Sequence, residues 1–420
     1  MRKVDAMPIQ KAVITHKRHV SVMIALALLV VAVLTIGAVT TTGHHPDMQA
    51  EATNASIQTQ VWQELTQSFI DRRSPEPLTA TYAEFRYDAA NQLTATAHPE
   101  VLNSVQIKFA LNSSRDGNSE IYVVNADGSV QINLTRNLAD DYDAALSPDR
   151  KQIAFASWRD GNTEIYLMNA DGSNPTNLTH RPNANDYAPV WSPDGKQIAF
   201  ISTQNFADNI YVMNADGSNL TELTYGTENL DSYLQWSPDG KQLVFEGRNG
   251  YFDIYVMNAD GSNLTNLTHN LKRDNDAPAL SPDGKQIVFV VGYAYGTGIN
   301  IYVMNIDDTN SHSLTVIAQK YEHPTWSPDG KQIAFYVQQE GYYATDFYAM
   351  NSDGTNVRLL SHIDQLVQND FKWSFDGTQI LFAADRYGNY SSIYMMNTDG
   401  SNIQRLTNVP SADYEPVWRP

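Results

Sequence analysis

The segment Pro-Val-Trp-Ser-Pro-Asp-Gly-Lys-Gln-Ile-Ala-Phe at 189–200 returns, more or less altered, along the C-terminal three quarters of the chain. No other feature constrains the fold as much. Its serines stand at Ser147, Ser192, Ser237, Ser281, Ser327 and Ser374, and Arg419 takes the next serine's place. A second motif, built on Ile-Tyr-Val-Met-Asn-Ala-Asp-Gly, places its asparagines at Asn125, Asn169, Asn214, Asn258, Asn305, Asn351 and Asn397. Seven units thus recur every 44–47 residues. A period of this size means a solenoid, an array or a propeller, and the pattern inside one unit chooses among them.

Within a unit, short runs such as 198–201 and 210–213 are rich in Val, Ile, Phe and Tyr and are bounded by turn residues, so each reads as a strand. Ser-Pro-Asp-Gly sets proline where a fixed φ helps and glycine where a positive φ is wanted; Asn-Ala-Asp-Gly makes a similar tight hairpin. Helical repeats would need long apolar runs of 3.6 periodicity, which are absent. The pattern therefore predicts an all-β fold, a seven-bladed β-propeller over 105–420 with four strands per blade. The first unit starts at its second strand, and the chain ends on an orphan copy of the first, Glu415-Pro416-Val417-Trp418. The C-terminal strand is thus expected to complete the first blade and remove an exposed sheet edge. Six blades is the alternative if the first unit stays outside the ring.

These Trp-Ser-Pro-Asp-Gly-Lys and Ile-Tyr-Val-Met-Asn-Ala-Asp-Gly signatures resemble the WD-like propeller repeats of the TolB-like family of periplasmic translocation proteins. The likeness covers the propeller only. Similar repeats occur in prolyl-oligopeptidase-like enzymes and in oligogalacturonate lyases, so the resemblance implies an architecture and assigns no chemistry. The N-terminal α/β domain of TolB has no counterpart in the short, polar segment 40–104.

Residues 20–39 form a twenty-residue run without a charge, preceded by Arg2, Lys3, Lys11, Lys17 and Arg18. At helical rise such a run spans about 30 Å, the thickness of a bilayer's hydrocarbon core. It reads as one transmembrane signal anchor, with 1–19 cytoplasmic, 40–104 a polar stalk and the propeller exported to the periplasm or cell exterior. A cleaved signal peptide, which would leave a secreted protein, is the alternative. The absence of cysteine excludes thiolate metal sites and a cysteine nucleophile, and a formal charge of −19 argues against nucleic acid as a partner.

Two sets of residues are candidates for binding. The first is an acid in every unit before the innermost strand: Asp141, Asp186, Asp231, Asp276, Glu322, Asp370 and Asp413. Four to six residues separate each from the serine position, which predicts a carboxylate collar around one mouth of the channel. Like charges so placed call for a cation or a basic partner, and hard oxygen ligands would select Ca²⁺ or Mg²⁺; solvated acids that cap backbone amides are the plainer alternative. No cofactor is otherwise required. His180, His269 and His362 recur in alternate units at the rim, too far apart to share a metal.

The second set lies in the loops between second and third strands. Units one and two carry Arg115-Asp116-Gly117-Asn118 and Arg159-Asp160-Gly161-Asn162 there, whereas later units carry Tyr251, Phe252, Tyr293, Tyr295, Tyr342, Tyr343, Tyr387 and Tyr390. Tyrosine supplies rigid, half-polar contact area at small entropy cost. The expected function is a membrane-tethered scaffold that binds an envelope protein or peptide, or a cell-wall polymer, without catalysis. A lyase-like, polysaccharide-active propeller with a central cation is the alternative. No Gly-x-Ser-x-Gly elbow supports a hydrolase. Five Asn-x-Thr sequons fall on repeat positions and are read as coincidence.

Overall fold

The computed structural model describes residues 107–225, 233–269, 273–292, 299–315, 321–338, 344–363, 366–385, 390–409 and 411–419. The segments 1–19, 20–39 and 40–104 of the sequence reading lie outside them. No helix among the described residues is long and apolar enough to cross a membrane.

Seven four-stranded antiparallel sheets form the blades of a propeller. The third blade is typical, with an inner strand Asn185–Trp191, then Gln197–Gln204, Ala207–Asn214 and an outer strand Thr221–Glu222. The first blade is complete: Asp413–Trp418 is its inner strand, followed by Ile107–Ser113, Glu120–Asn125 and Gln131–Asn133. Phe109 pairs with Trp418 and Ser113 with Asp413. The six-bladed alternative therefore falls away.

The middle strands do not alternate inside and outside, because each blade is covered on both faces by its neighbours. In Gln152–Ser157, five of six residues are buried. Seven apolar clusters hold the ring, each shared by two consecutive blades. Val123, Ile132 and Leu134 of the first blade meet Ile153, Phe155 and Met168 of the second. Leu381, Ile393 and Met395 of the seventh meet Phe109, Leu111 and Trp418 of the first, which closes the circle. A second-strand phenylalanine recurs at Phe155, Phe200, Phe245, Phe289, Phe335 and Phe382, each at most 1% exposed. Burying one such ring stabilises by roughly 1.5–3 kcal/mol.

Both repeat turns are held by their own side chains. In Ser192-Pro193-Asp194-Gly195 the serine hydroxyl donates to Asp194 Oδ1 at 2.8 Å and accepts the Gln197 N–H at 3.0 Å, while Gly195 takes φ +70°. The other turn reaches the next blade. A Cβ on Gly172, at φ +83°, would stand 2.8 Å from the Leu134 carbonyl oxygen of the preceding blade. Inner strands are joined by indoles: Trp191, Trp236, Trp326 and Trp418 donate to the carbonyls of Ala145, Val190, Ala279 and Lys372 at 2.8–3.2 Å.

A chain ending at residue 412 leaves the second strand of the first blade unpaired along its inner edge and uncovers the cluster around Phe109 and Leu111. It should show no cooperative thermal transition, and Trp418→Ala alone should cost about 3–5 kcal/mol. Calorimetry of the two variants decides; a truncated chain that melts like the full one would mean that closure contributes nothing.

Candidate functional site

The loops between second and third strands emerge beside the connections into the inner strands: the Trp158 N–H bonds the Asp140 carbonyl, and the Asp186 N–H that of Thr163. These segments make up one face of the ring. In the first three blades it is tied down by arginine. Arg115 donates to Ser113 Oγ at 2.6 Å and to both oxygens of Asp413 at 2.9 and 3.1 Å. Arg159 repeats this with Ser157 and Asp141, at 2.7 Å and at 2.9–3.0 Å. Arg181 comes from the following connection and donates to Asp186 at 3.1 Å and Ser202 at 2.8 Å. Each guanidinium also lies 4.1–4.4 Å from the centroid of a third-strand tyrosine, Tyr122, Tyr166 or Tyr211. Beside the first two, Asp116 and Asp160 accept from the hydroxyls of Tyr122 and Tyr166 and from the amides of Asn133 and Asn177.

That last contact accounts for the Asn-x-Thr pattern. Asn177 is engaged by Asp160, and Thr179 accepts the Ile165 N–H at 3.0 Å while donating to Glu164. The sequon holds the outer strand to its blade.

The acids expected to form one collar occupy three different register positions. Asp141, Asp186 and Asp413 lie opposite Ser157, Ser202 and Ser113, wholly buried. The same position holds Asn275 in the fifth blade, Tyr321 in the sixth and Val367 in the seventh. Asp276 and Glu322 sit one residue further, opposite Val290 and Tyr336, so their side chains leave the other side of the strand. Asp370 falls in the irregularity between Gln368 and Phe371, and Asp231 lies outside the described residues. The cause is their unequal spacing: Asp141, Asp186 and Asp413 stand six residues before the serine position, Asp276 and Glu322 five and Asp370 four, and one residue of offset changes the side of the strand. Where three acids do coincide, arginine supplies the countercharge that the sequence reading gave to a cation. Among the described residues, no three His, Asp or Glu side chains are grouped to hold a metal ion.

Burial sets the protonation of Asp141 and Asp186. It pushes the Asp141 carboxyl up against the pull of Ser157 and Arg159. Asp186 is pushed up to about 6, burial outweighing Ser202 and Arg181; its Oδ2 is buried without a hydrogen-bond partner.

A bulge in the inner strand brings together residues that the sequence reading did not connect with one another. Asp143, Ala188, Ala277, His323 and Glu415 share a left-handed conformation, φ 47–54°, three residues before the tryptophan position. From there the Asp143 carboxylate accepts the Ala188 N–H at 2.9 Å, and Glu415 accepts the Asn112 amide at 2.6 Å. The Tyr233 hydroxyl stands 3.2 Å from His323 Nδ1, two blades away, and His323 stacks on Tyr336 at 5.5 Å. These positions line the ring's inner side. The signal available in the sequence was the unlike residue types at one repeat position.

Of the predicted loop aromatics, Tyr251 and Tyr390 are exposed, and Phe252 is half-buried with Arg248 5.1 Å from its ring centroid. Tyr293, Tyr295, Tyr342, Tyr343 and Tyr387 lie outside the described residues. On the same face the structure adds Leu138, Trp158, Phe206 and Tyr225, each more than half exposed. Trp158 and Phe206 occupy loops equivalent to that of Tyr251; a comparison of loops unit by unit would have found them.

The chain matches the family model of the TolB beta propeller domain over residues 103–188, 183–289 and 266–391. Among solved structures, TolB from Acinetobacter baumannii is 20% identical, with 83% of this chain and 74% of that chain covered and a TM-score of 0.49. Oligogalacturonate lyase from Vibrio parahaemolyticus is 18% identical, with 68% and 83% covered and a TM-score of 0.55. A puromycin-hydrolyzing peptidase of Mycobacterium tuberculosis is 14% identical, with 72% and 54% covered and a TM-score of 0.56. At these identities the likeness to the lyase and the peptidase is one of fold. Comparison with curated proteins yields no match.

Asp186 provides a test of this electrostatic picture. Its folded carboxyl holds a proton more tightly than the unfolded chain does, so its contribution is greatest in acid and is lost as pH rises through about 6. Relative to Asp186→Asn, the wild type should lose on the order of 2 kcal/mol between about pH 4 and pH 7. Urea unfolding followed by tryptophan fluorescence measures the difference, and parallel stability curves would contradict it.

Proposed function

From the premise that this chain belongs to the TolB β-propeller domain family, we propose that it is a membrane-tethered scaffold of the cell envelope which binds a protein partner on its loop face and does no chemistry itself. One observation carries this reading: Leu138, Trp158, Phe206, Tyr225, Tyr251 and Tyr390 are exposed together on that face. Large apolar side chains gathered on one surface mark interaction sites, and Tyr and Trp are enriched where partners are held. The blades beneath them are rigid, so a partner meets a preorganised surface at small entropic cost. The uncharged run 20–39 would tether the ring to the membrane.

A second reading has an observation of its own. The Tyr233–His323 pair on the inner side of the ring sets an imidazole where a proton could be taken from a bound sugar, and the fold resembles that of an oligogalacturonate lyase. Asp143 and Glu415 stand at the same level of the ring and oppose an acidic polymer.

Detergent-solubilised full-length protein should capture one envelope protein that the variant Trp158→Ser, Phe206→Ser, Tyr251→Ser, Tyr390→Ser does not retain. Each exposed substitution should change stability by no more than about 0.5 kcal/mol, so the melting point should hardly move. Equal capture by both proteins would remove the loop face from recognition. Shortening of oligogalacturonate by the wild type and not by His323→Ala would establish the enzyme reading instead.

A further inference from the structure

Turns of the Ser-Pro-Asp-Gly type close the opposite end of six blades from the loop face, and at one place they depart from the repeat in two ways at once. Pro148, Pro193, Pro238, Pro282 and Pro328 hold the second position of five turns; the seventh blade has Phe375 there. Its ring is 62% exposed. Two residues earlier stands Trp373. Four equivalent tryptophans donate their indole N–H to the preceding inner strand, whereas Trp373 Nε1 is buried and has no acceptor. An unpaired buried donor costs about 1–3 kcal/mol and asks for a reason.

Both residues line a cleft of about 390 Å³ between the turns of the sixth and seventh blades, within the size range of small-molecule sites. Gly377 forms part of its wall, and a Cβ there would stand 3.6 Å from Pro328 Cδ. The polar lining is Ser327, Asp329, Lys331, Gln332 and Asp376. Asp329 Oδ1 is occupied by the Ser327 hydroxyl at 2.7 Å and the Lys331 N–H at 3.1 Å, while its Oδ2 lies 3.3 Å from the Lys331 ammonium. Asp376 Oδ1 accepts from Ser374 at 2.6 Å and from the N–H and hydroxyl of Thr378 at 3.0 and 2.7 Å. These bonds, Ser374 foremost, hold Asp376 down at about 2.

A ligand suited to these walls needs an apolar face for an aromatic ring and hydroxyls to give to carboxylates. It should carry no negative charge, because two aspartates flank the cleft. We propose that this cleft binds a neutral pyranose ring, stacked on Phe375 and giving hydroxyl protons to the flanking carboxylates. The site is independent of the loop face.

Calorimetric titration of the full-length protein with the N-acetylglucosamine trimer and with maltotriose tests this, with trigalacturonate as the acidic counterpart. At least one neutral trisaccharide should bind, and the acidic one should not. Phe375→Pro restores the residue of the other turns and leaves the fold intact; loss of ring stacking should raise Kd about tenfold. The loop-face variant should bind as the wild type does. No heat from either neutral sugar, stronger binding of trigalacturonate, or unchanged affinity in Phe375→Pro would each overturn the proposal.

Discussion

The pairing of Asp413–Trp418 with Ile107–Ser113 is the contact on which the rest of the molecule depends. No blade has a solvent-facing side on which it could stand alone, since its middle strands are apolar on both faces. Every cluster is shared with a neighbour, so a ring with one gap exposes two faces together. The last strand supplies more than hydrogen bonds. Trp418 fills the cluster between the seventh and first blades, its indole holds the Lys372 carbonyl, and Asp413 receives Arg115 from a loop 298 residues earlier. Closing that loop in the unfolded chain carries an entropic cost that rises only slowly with length, and burial around the whole ring offsets it.

Closure also explains why charge is buried in a fold that could do without it. An ion pair taken out of water seldom adds much stability over a well-packed apolar pair, yet it is severe on any arrangement that separates its partners. In the first three blades the buried aspartates fix their arginines and thereby the loops that carry them. From the fifth blade onward the same position holds Asn275, Tyr321 and Val367, which ask for no countercharge. The ring is thus uniform in its core and divided on its loop face, with one part lashed by guanidinium groups and another left to vary.

The legible part of this molecule was whatever the repeat states locally. Ser-Pro-Asp-Gly and Asn-Ala-Asp-Gly turns, the strands between them and the orphan strand at 415–418 could be read because each is specified by a few adjacent residues. Seven blades and their closure followed from counting. The collar was less legible. Asp141 stands six residues before Ser147 and Asp276 five before Ser281, and treating them as one ring overlooks that one residue of offset changes the side of the strand, as the register shows. Trp158 escaped attention for another reason: it precedes an Arg-Asp-Gly-Asn loop whose structural bonds account for its neighbours and not for itself. That Trp373 lacks an acceptor depends on the backbone of the preceding blade, about which its own unit contains no information.

A repeat protein makes departures from its own rule informative. The turn of the seventh blade keeps the bonds that define it, from Ser374 to Asp376 and from the Gly377 N–H to the Ser374 carbonyl, so its second position is free of the constraint that makes proline useful there. Phenylalanine at that position gives up the proline's fixed φ and exposes an aromatic ring, and nothing in the packing of the blade repays this. The same reasoning applies at the other end of the strands, where Trp158, Phe206 and Tyr251 stand in loops whose hydrogen bonds do not need them. Residues that break a local rule without a structural return are where selection for function is expected to appear. In a ring whose seven clusters hold both ends rigid, two such places can carry separate binding surfaces without disturbing one another.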